Sequence, residues 1–184
     1  ECGMEQADRK LIEMAREKGV TICFEPNLRL SLWNNEDALR STVREFLPLA
    51  DIVKISDEEL EFITGKSDID DALPFLLQGN TKCVVYTMGK DGACVFTENC
   101  SAFRKGYTVN AVDTTGAGDS FIGAFEYCLL KDGVHDLTKL KREQMEQYLD
   151  FANAYAAYTT IKQGALSSMA DAQQMSEWMK KLNH

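Results

Sequence analysis

The nine residues Val112-Asp113-Thr114-Thr115-Gly116-Ala117-Gly118-Asp119-Ser120 have the types and spacing needed to handle an anion. They lie between an extended segment and the apolar run 121–130, which reads as a helix. The first-turn N–H groups of a helix lack intrahelical partners and carry the positive end of its dipole. Small residues at Gly116, Ala117 and Gly118 let a phosphate approach those amides closely. Asp119 then stands where a transferring phosphate lies, and a carboxylate there suits proton abstraction from an attacking hydroxyl. A glycine-rich helix start with an acidic first-turn residue is the plainer reading of the same pattern.

Composition narrows the chemistry. A chain of 184 residues, 45% of them hydrophobic, is long enough for one domain with a sizeable core. A net charge of −9 argues against nucleic acid or an anionic membrane surface as the main partner. It does not argue against ATP, because local amides and Mg²⁺ set the field in such a site. No apolar run approaches the roughly 20 residues of a membrane span, and no signal peptide opens the chain. The cysteines Cys2, Cys23, Cys83, Cys94, Cys100 and Cys128 form no CxxC pair and read as free thiols of a cytoplasmic protein. His135 and His184, the only histidines, lie in polar surroundings, so any general base is expected to be a carboxylate.

The elements that must position this motif follow from periodicity. Residues 6–18 read as an amphipathic helix, with Leu11, Ile12, Met14 and Ala15 on one face and Gly19 ending it. Residues 20–24 form a continuous apolar run, as in a strand buried on both faces. Asn27 and Arg29 follow at its carboxyl end, where open α/β sheets bind ligands, although a solvated polar loop reads equally well. Residues 33–49 read as a helix, and 52–55 as a second strand. Ser56 and Glu59 have capping-box spacing for a helix over 57–64 that Gly65 stops. A place for Glu59 near a Mg²⁺–phosphate cluster is the functional alternative. A short helix is expected over 68–77 and a third strand over 82–87.

Thr87, Gly89, Lys90 and Gly92 lie in a tight loop able to lie against a nucleotide, or in a simple turn into a strand over 93–96. Residues 101–104 pair back on that strand. Helices are expected over 116–131, 140–161 and 171–182, the second with an alanine-rich stretch at 152–157 and a turn after it at 163–168. Alternation of strands and helices points to α/β with a parallel sheet, and the absence of a linker to a single domain over 1–184. A Rossmann dehydrogenase is excluded, since no GxGxxG follows an early strand; a P-loop kinase is excluded because GxxxxGK[ST] is absent.

Taken together, the motifs resemble the carbohydrate kinases of the ribokinase (PfkB) family, in that family's order. Residues 112–120 resemble its DTxGAGD signature, and 87–92 its nucleotide loop. Residues 54–60 with Thr64-Gly65 resemble the NxxE region, and 24–29 with Leu32-Trp33 the DPNxR…LW stretch of fructokinase-like members. The resemblance implies a ribokinase-like three-layer α/β/α fold with a mostly parallel central sheet. It implies ATP-dependent phosphorylation of a sugar hydroxyl, with fructose or a related sugar as substrate. Asp119 is then the general base and the amides of Gly116, Ala117 and Gly118 the anion hole. Ser56, Glu59, Thr87, Gly89, Lys90, Gly92 and Asn153 are the implied ATP and Mg²⁺ contacts, with Asn153 near the adenine. Asn27 and Arg29 are the implied sugar contacts. Asp113, Thr115, Thr159, Lys162, Gly164 and Ser168 match positions that hold K⁺ in many relatives.

Three departures stand out. Ser56 replaces the usual asparagine of NxxE, and Glu25 the usual aspartate of DPN. Family members usually have around 300 residues, so the amino-terminal strands and the lid that often forms the homodimer are expected to be missing. The expectation is a fragment or a chain dependent on association, with an exposed sheet edge or apolar face. A non-catalytic nucleotide-binding module is the rival reading.

Overall fold

Capping side chains and left-handed glycines cut the chain into short elements. The structure is a computed structural model that describes residues 3–182. The chain divides into two compact units, Glu1–Val85 and Tyr86–His184. The division between them falls inside a strand.

The first unit carries α1 (Gly3–Glu17), β1 (Cys23–Phe24), α2 (Glu36–Phe46), β2 (Ile52–Ser56), α3 (Asp57–Thr64), α4 (Ile69–Leu76) and the start of β3 (Cys83–Thr87). The second carries the end of β3, then β4 (Ala93–Phe96), β5 (Ser101–Arg104), α5 (Ala117–Lys131), α6 (Arg142–Thr160) and α7 (Ala172–Leu182). The strands follow chain order in one mixed, mostly parallel sheet, in keeping with the expected α/β fold. β1 runs parallel to β2, with Cys23 opposite Ile52. β4 and β5 are antiparallel, with Ala93 opposite Arg104 and Phe96 opposite Ser101.

Several expected boundaries move for identifiable reasons. The strand expected over 20–24 contracts to two residues, because the Asp51 carboxylate, not a neighbouring strand, takes the N–H of Ile22 at 2.8 Å. The helix expected from Trp33 starts at Glu36, because Asn35 caps it, its Oδ1 accepting from the amides of Asp37 and Ala38 at 2.8 and 3.4 Å. It passes at Leu47 into a 3₁₀ turn containing Pro48, which has no N–H to donate to an α-helical ladder. α3 keeps its expected bounds, and Gly65 ends it at φ 76°.

α1 departs most from its sequence pattern. None of its described residues is buried, and Leu11 and Met14, expected on its apolar face, are 64% and 45% exposed. Leu11, Ile12, Val20, Phe24 and Phe46 line an open apolar cavity of about 550 Å³ between α1 and β1. An apolar face between α1 and β1 is therefore exposed. The first unit's core lies instead in β2, β3 and the helices that follow and precede them, where Ile52, Val53, Ile55, Val84, Val85, Leu39, Leu60 and Leu76 are all buried.

In the second unit, Phe125 stands edge-on to Tyr148 with centroids 6.0 Å apart, joining α5 to α6. α7 docks through Met175, which is buried, and Trp178, whose indole N–H donates to Ala154 O at 3.0 Å and whose ring meets Tyr158 edge-on. Cys23, Cys83, Cys94, Cys100 and Cys128 are not joined in disulfides, and Cys2 and His184 lie outside the described residues. Among the described residues no helix is long and apolar enough to cross a membrane.

Candidate functional site

Gly116 is the N-cap of α5 at φ 79°, a left-handed conformation that admits glycine without steric cost. A Cβ added there would stand 3.1 Å from the Ala165 methyl, so the 164–168 turn lies directly behind it. Ala117 N–H donates to Thr114 O at 3.1 Å, and Ser120 N–H to Gly116 O at 2.9 Å. The amides of Gly116, Gly118 and Asp119 meet no acceptor among the described residues. They are the free donors expected of a helix start, while Ala117 is partly committed to the turn. Asp119 is exposed in the first turn, beside them. With Ser120, Tyr127, Phe151 and Tyr155 it lines a cavity of about 460 Å³.

Asp113 fixes this loop. Its Oδ1 accepts Thr115 N–H at 2.9 Å and its Oδ2 accepts Gly164 N–H at 3.0 Å. The Thr115 hydroxyl and amide, with the Gly164 amide, hold the Asp113 carboxyl below the usual carboxylate range. Val112 and Asp113 also donate their N–H groups to Thr160 O, at 2.7 and 3.1 Å. Ser168, fully buried, donates its hydroxyl to Gly164 O and to Ala165 O. Asp113, Thr115, Gly164 and Ser168 are therefore brought together in one hydrogen-bonded group. Thr159 and Lys162 serve other contacts: Thr159 donates to Tyr155 O, and the Lys162 ammonium lies on the Tyr158 hydroxyl at 2.6 Å and over its ring. The side-chain oxygens of Asp113, Thr159 and Ser168 thus each have a partner within the protein.

The loop after β3 is a 3₁₀ turn over Gly89–Asp91, closed by Met88 N–H donating to Gly92 O at 2.8 Å. Gly89 and Gly92 take φ of 51° and 110°. The turn leads straight into β4. Lys90 is exposed on it. Asn153 is buried on α6, and its Nδ2 donates to Arg104 O at 3.2 Å and to Lys105 O at 3.5 Å.

In the first unit Glu59 is buried, and both of its carboxylate oxygens are engaged. Its Oε2 accepts the amide and hydroxyl of Ser56 at 2.9 and 3.0 Å, and its Oε1 accepts Leu28 N–H at 3.0 Å. The capping reading of this pair is therefore realised, with one lone-pair direction left for a metal-bound water. Among the described residues no cluster of three or more His, Cys, Asp or Glu is placed to hold a metal ion directly. Asn27 adopts φ 50° in an exposed loop, and the Arg29 guanidinium turns back to Asn27 O and Leu28 O at 3.4 and 3.2 Å. The departure at Glu25 has a partner: its carboxylate holds the Lys54 ammonium, which is 4% exposed inside β2. That pair, Ala165 behind Gly116, and Gly106 against Lys90 escape the sequence reading. A lysine in an apolar strand signals the first, whereas nothing local signals the other two.

The pfkB family carbohydrate kinase profile matches residues 3–172. The chain belongs to that family. Probable fructokinase-2 of Arabidopsis thaliana is 40% identical over 165 residues, covering 89% of this chain and 49% of that protein. Among solved structures, the fructokinase of Vibrio cholerae O395 in fructose-, ADP- and calcium-bound form superposes with a TM-score of 0.83 at 32% identity, over 94% of this chain and 55% of that one. A fructokinase from Xylella fastidiosa with bound ATP gives 0.86 at 24% identity, over 95% and 56%, and shows the shared fold. This pfkB-family chain spans about half the length of the curated relatives it matches.

Proposed function

We propose that the protein is an ATP-dependent sugar kinase with fructose as its acceptor, and that residues 112–120 carry the transfer. The observation that carries the reading is the exposed Asp119 carboxylate beside the acceptor-free amides at the start of α5. In the reaction the acceptor hydroxyl oxygen bonds to the γ-phosphorus, the bond from that phosphorus to the bridging oxygen of ADP breaks, and Asp119 takes the hydroxyl proton. The amides of Gly116 and Gly118, helped by the dipole of α5, stabilise charge on the transferred group. Asp113 holds those amides in register with the 164–168 turn. Thr87, Gly89, Lys90 and Gly92 lie along the ATP phosphates, and Lys90 supplies a positive charge there. Glu59 would hold Mg²⁺ through water, where the ion would neutralise phosphate charge, and main-chain carbonyls of the 159–168 segment would hold K⁺. Asn27 and Arg29 take sugar hydroxyls. Fructose and ADP in the Vibrio cholerae structure, and the fructokinase names of the relatives, support this choice of substrates.

ADP release tests it, measured on the protein expressed from its natural reading frame with ATP, Mg²⁺, K⁺ and fructose. Turnover is expected, falling by about 10²–10⁴-fold in Asp119→Asn with ATP affinity nearly intact. Retained turnover in that variant removes Asp119 as the base. The match to about half the length of the fructokinase-2 relatives favours a second reading, a nucleotide-binding module without turnover. ATP binding with no ADP release, across a panel of sugars, would establish it instead.

A further inference from the structure

We infer that Asn153 is a positioning residue for the nucleotide loop, acting through the main chain of residues 104–106 rather than by reading a base. The inference rests on the assignment of residues 87–92 as that loop.

The carbonyl of Arg104, at the end of β5, faces two neighbours. It accepts the Asn153 amide at 3.2 Å, and it lies so close to Gly92 that a Cβ added there would stand 2.1 Å from it. Two residues on, a Cβ at Gly106 would stand 2.5 Å from Lys90 O. The 104–106 segment is thus pressed along the backbone of Lys90 and Gly92 at separations that only glycine permits. The approach extends the antiparallel register of Ala93 with Arg104 past the end of the ladder.

α6 holds that segment from behind. Glu146 and Asp150 bind the Arg104 guanidinium at 2.9 and 3.0 Å, and Asn153 follows at the next position on the same helix face. Side-chain and main-chain contacts therefore converge on one residue. Two carbonyl acceptors demand the NH₂ end of the amide, so both donors of Asn153 face the segment. At 6% exposure the amide needs such partners, and it finds them in the backbone that supports Gly92.

A base-reading residue and a positioning residue differ in what they discriminate. The first favours ATP over ITP, which differs only at the base; the second affects both alike. Dissociation constants of Mg-ATP and Mg-ITP, measured by calorimetry on the protein expressed from its natural reading frame, separate the two for Asn153→Ala, Gly106→Ala and the double variant. Each single variant is expected to weaken both nucleotides by the same factor, about tenfold, with the ATP:ITP ratio unchanged. The double variant should be no weaker than the worse single one, because both act on one contact path. Gly106→Ala leaves Asn153 intact and carries the test if Asn153→Ala does not fold. A collapse of the ATP:ITP ratio in Asn153→Ala, or unchanged affinities in Gly106→Ala, overturns the positioning role. Wild-type protein that binds neither nucleotide overturns the loop assignment, and the inference with it.

Discussion

Glu59 Oε1 accepts the backbone N–H of Leu28 at 3.0 Å, tying the first turn of α3 to the loop after β1. Because Oε2 holds Ser56 at the same time, one carboxylate sets both the cap and the Asn27–Arg29 loop. Glu59→Gln keeps the shape but loses the charge and one acceptor. It is expected to cost about 1–3 kcal/mol. The melting temperature should fall by roughly 2–10 °C. An unchanged melt would show that these bonds carry no weight.

Two glycines on one helix should respond oppositely to alanine. Gly116→Ala forces a methyl into a left-handed position 3.1 Å from Ala165, and should destabilise by about 1–2 kcal/mol while lowering kcat. Gly123→Ala meets nothing within 4 Å inside α5, and should stabilise by about 0.5–1 kcal/mol. Denaturant titrations of the two variants check the signs, and equal effects would contradict the geometry.

The Lys54–Glu25 pair is a nearly buried charge pair, with side-chain exposures of 6% and 16%. Lys54→Met alone strands a carboxylate and should cost about 3–5 kcal/mol. Adding Glu25→Gln should recover most of that loss. Additive losses in the double variant would mean the two groups do not compensate each other.

Burial pushes the Cys83 thiol up to about 12. The folded state thus disfavours the thiolate, so this contribution is complete below the unfolded thiol's value near 8.5 and is lost as pH rises from there toward about 12. Wild-type stability should fall faster than that of Cys83→Ala above pH ~8.5, by at most about 1.4 kcal/mol per pH unit. Parallel pH profiles would remove Cys83 as the cause.

Much of this is legible in the sequence where local chemistry decides. The bounds of α3 follow from Ser56, Glu59 and Gly65, and the start of α5 from Gly116, all short-range signals. What is not legible depends on distant partners. Asp51 reaching Ile22 shortens β1, and nothing near residue 22 announces it. The apolar face of α1 has the period of a buried helix, yet periodicity names a face without naming what covers it. In the site, Asp119 and the glycines are readable because a helix start needs no distant partner. The reach of Asp113 to Gly164 and of Asn153 to Arg104 spans 51 and 49 positions, and only folding brings them together.

Each compact unit carries one of the two tryptophans. Trp33 is 41% exposed in the first, whereas Trp178 in the second gives its N–H to Ala154 and packs on Tyr158. Their emission should differ accordingly, red-shifted for the wetted indole and blue-shifted for the docked one. Trp33→Phe and Trp178→Phe each leave a single fluorophore, so the melting of the two units can be recorded by colour in separate samples of the same chain.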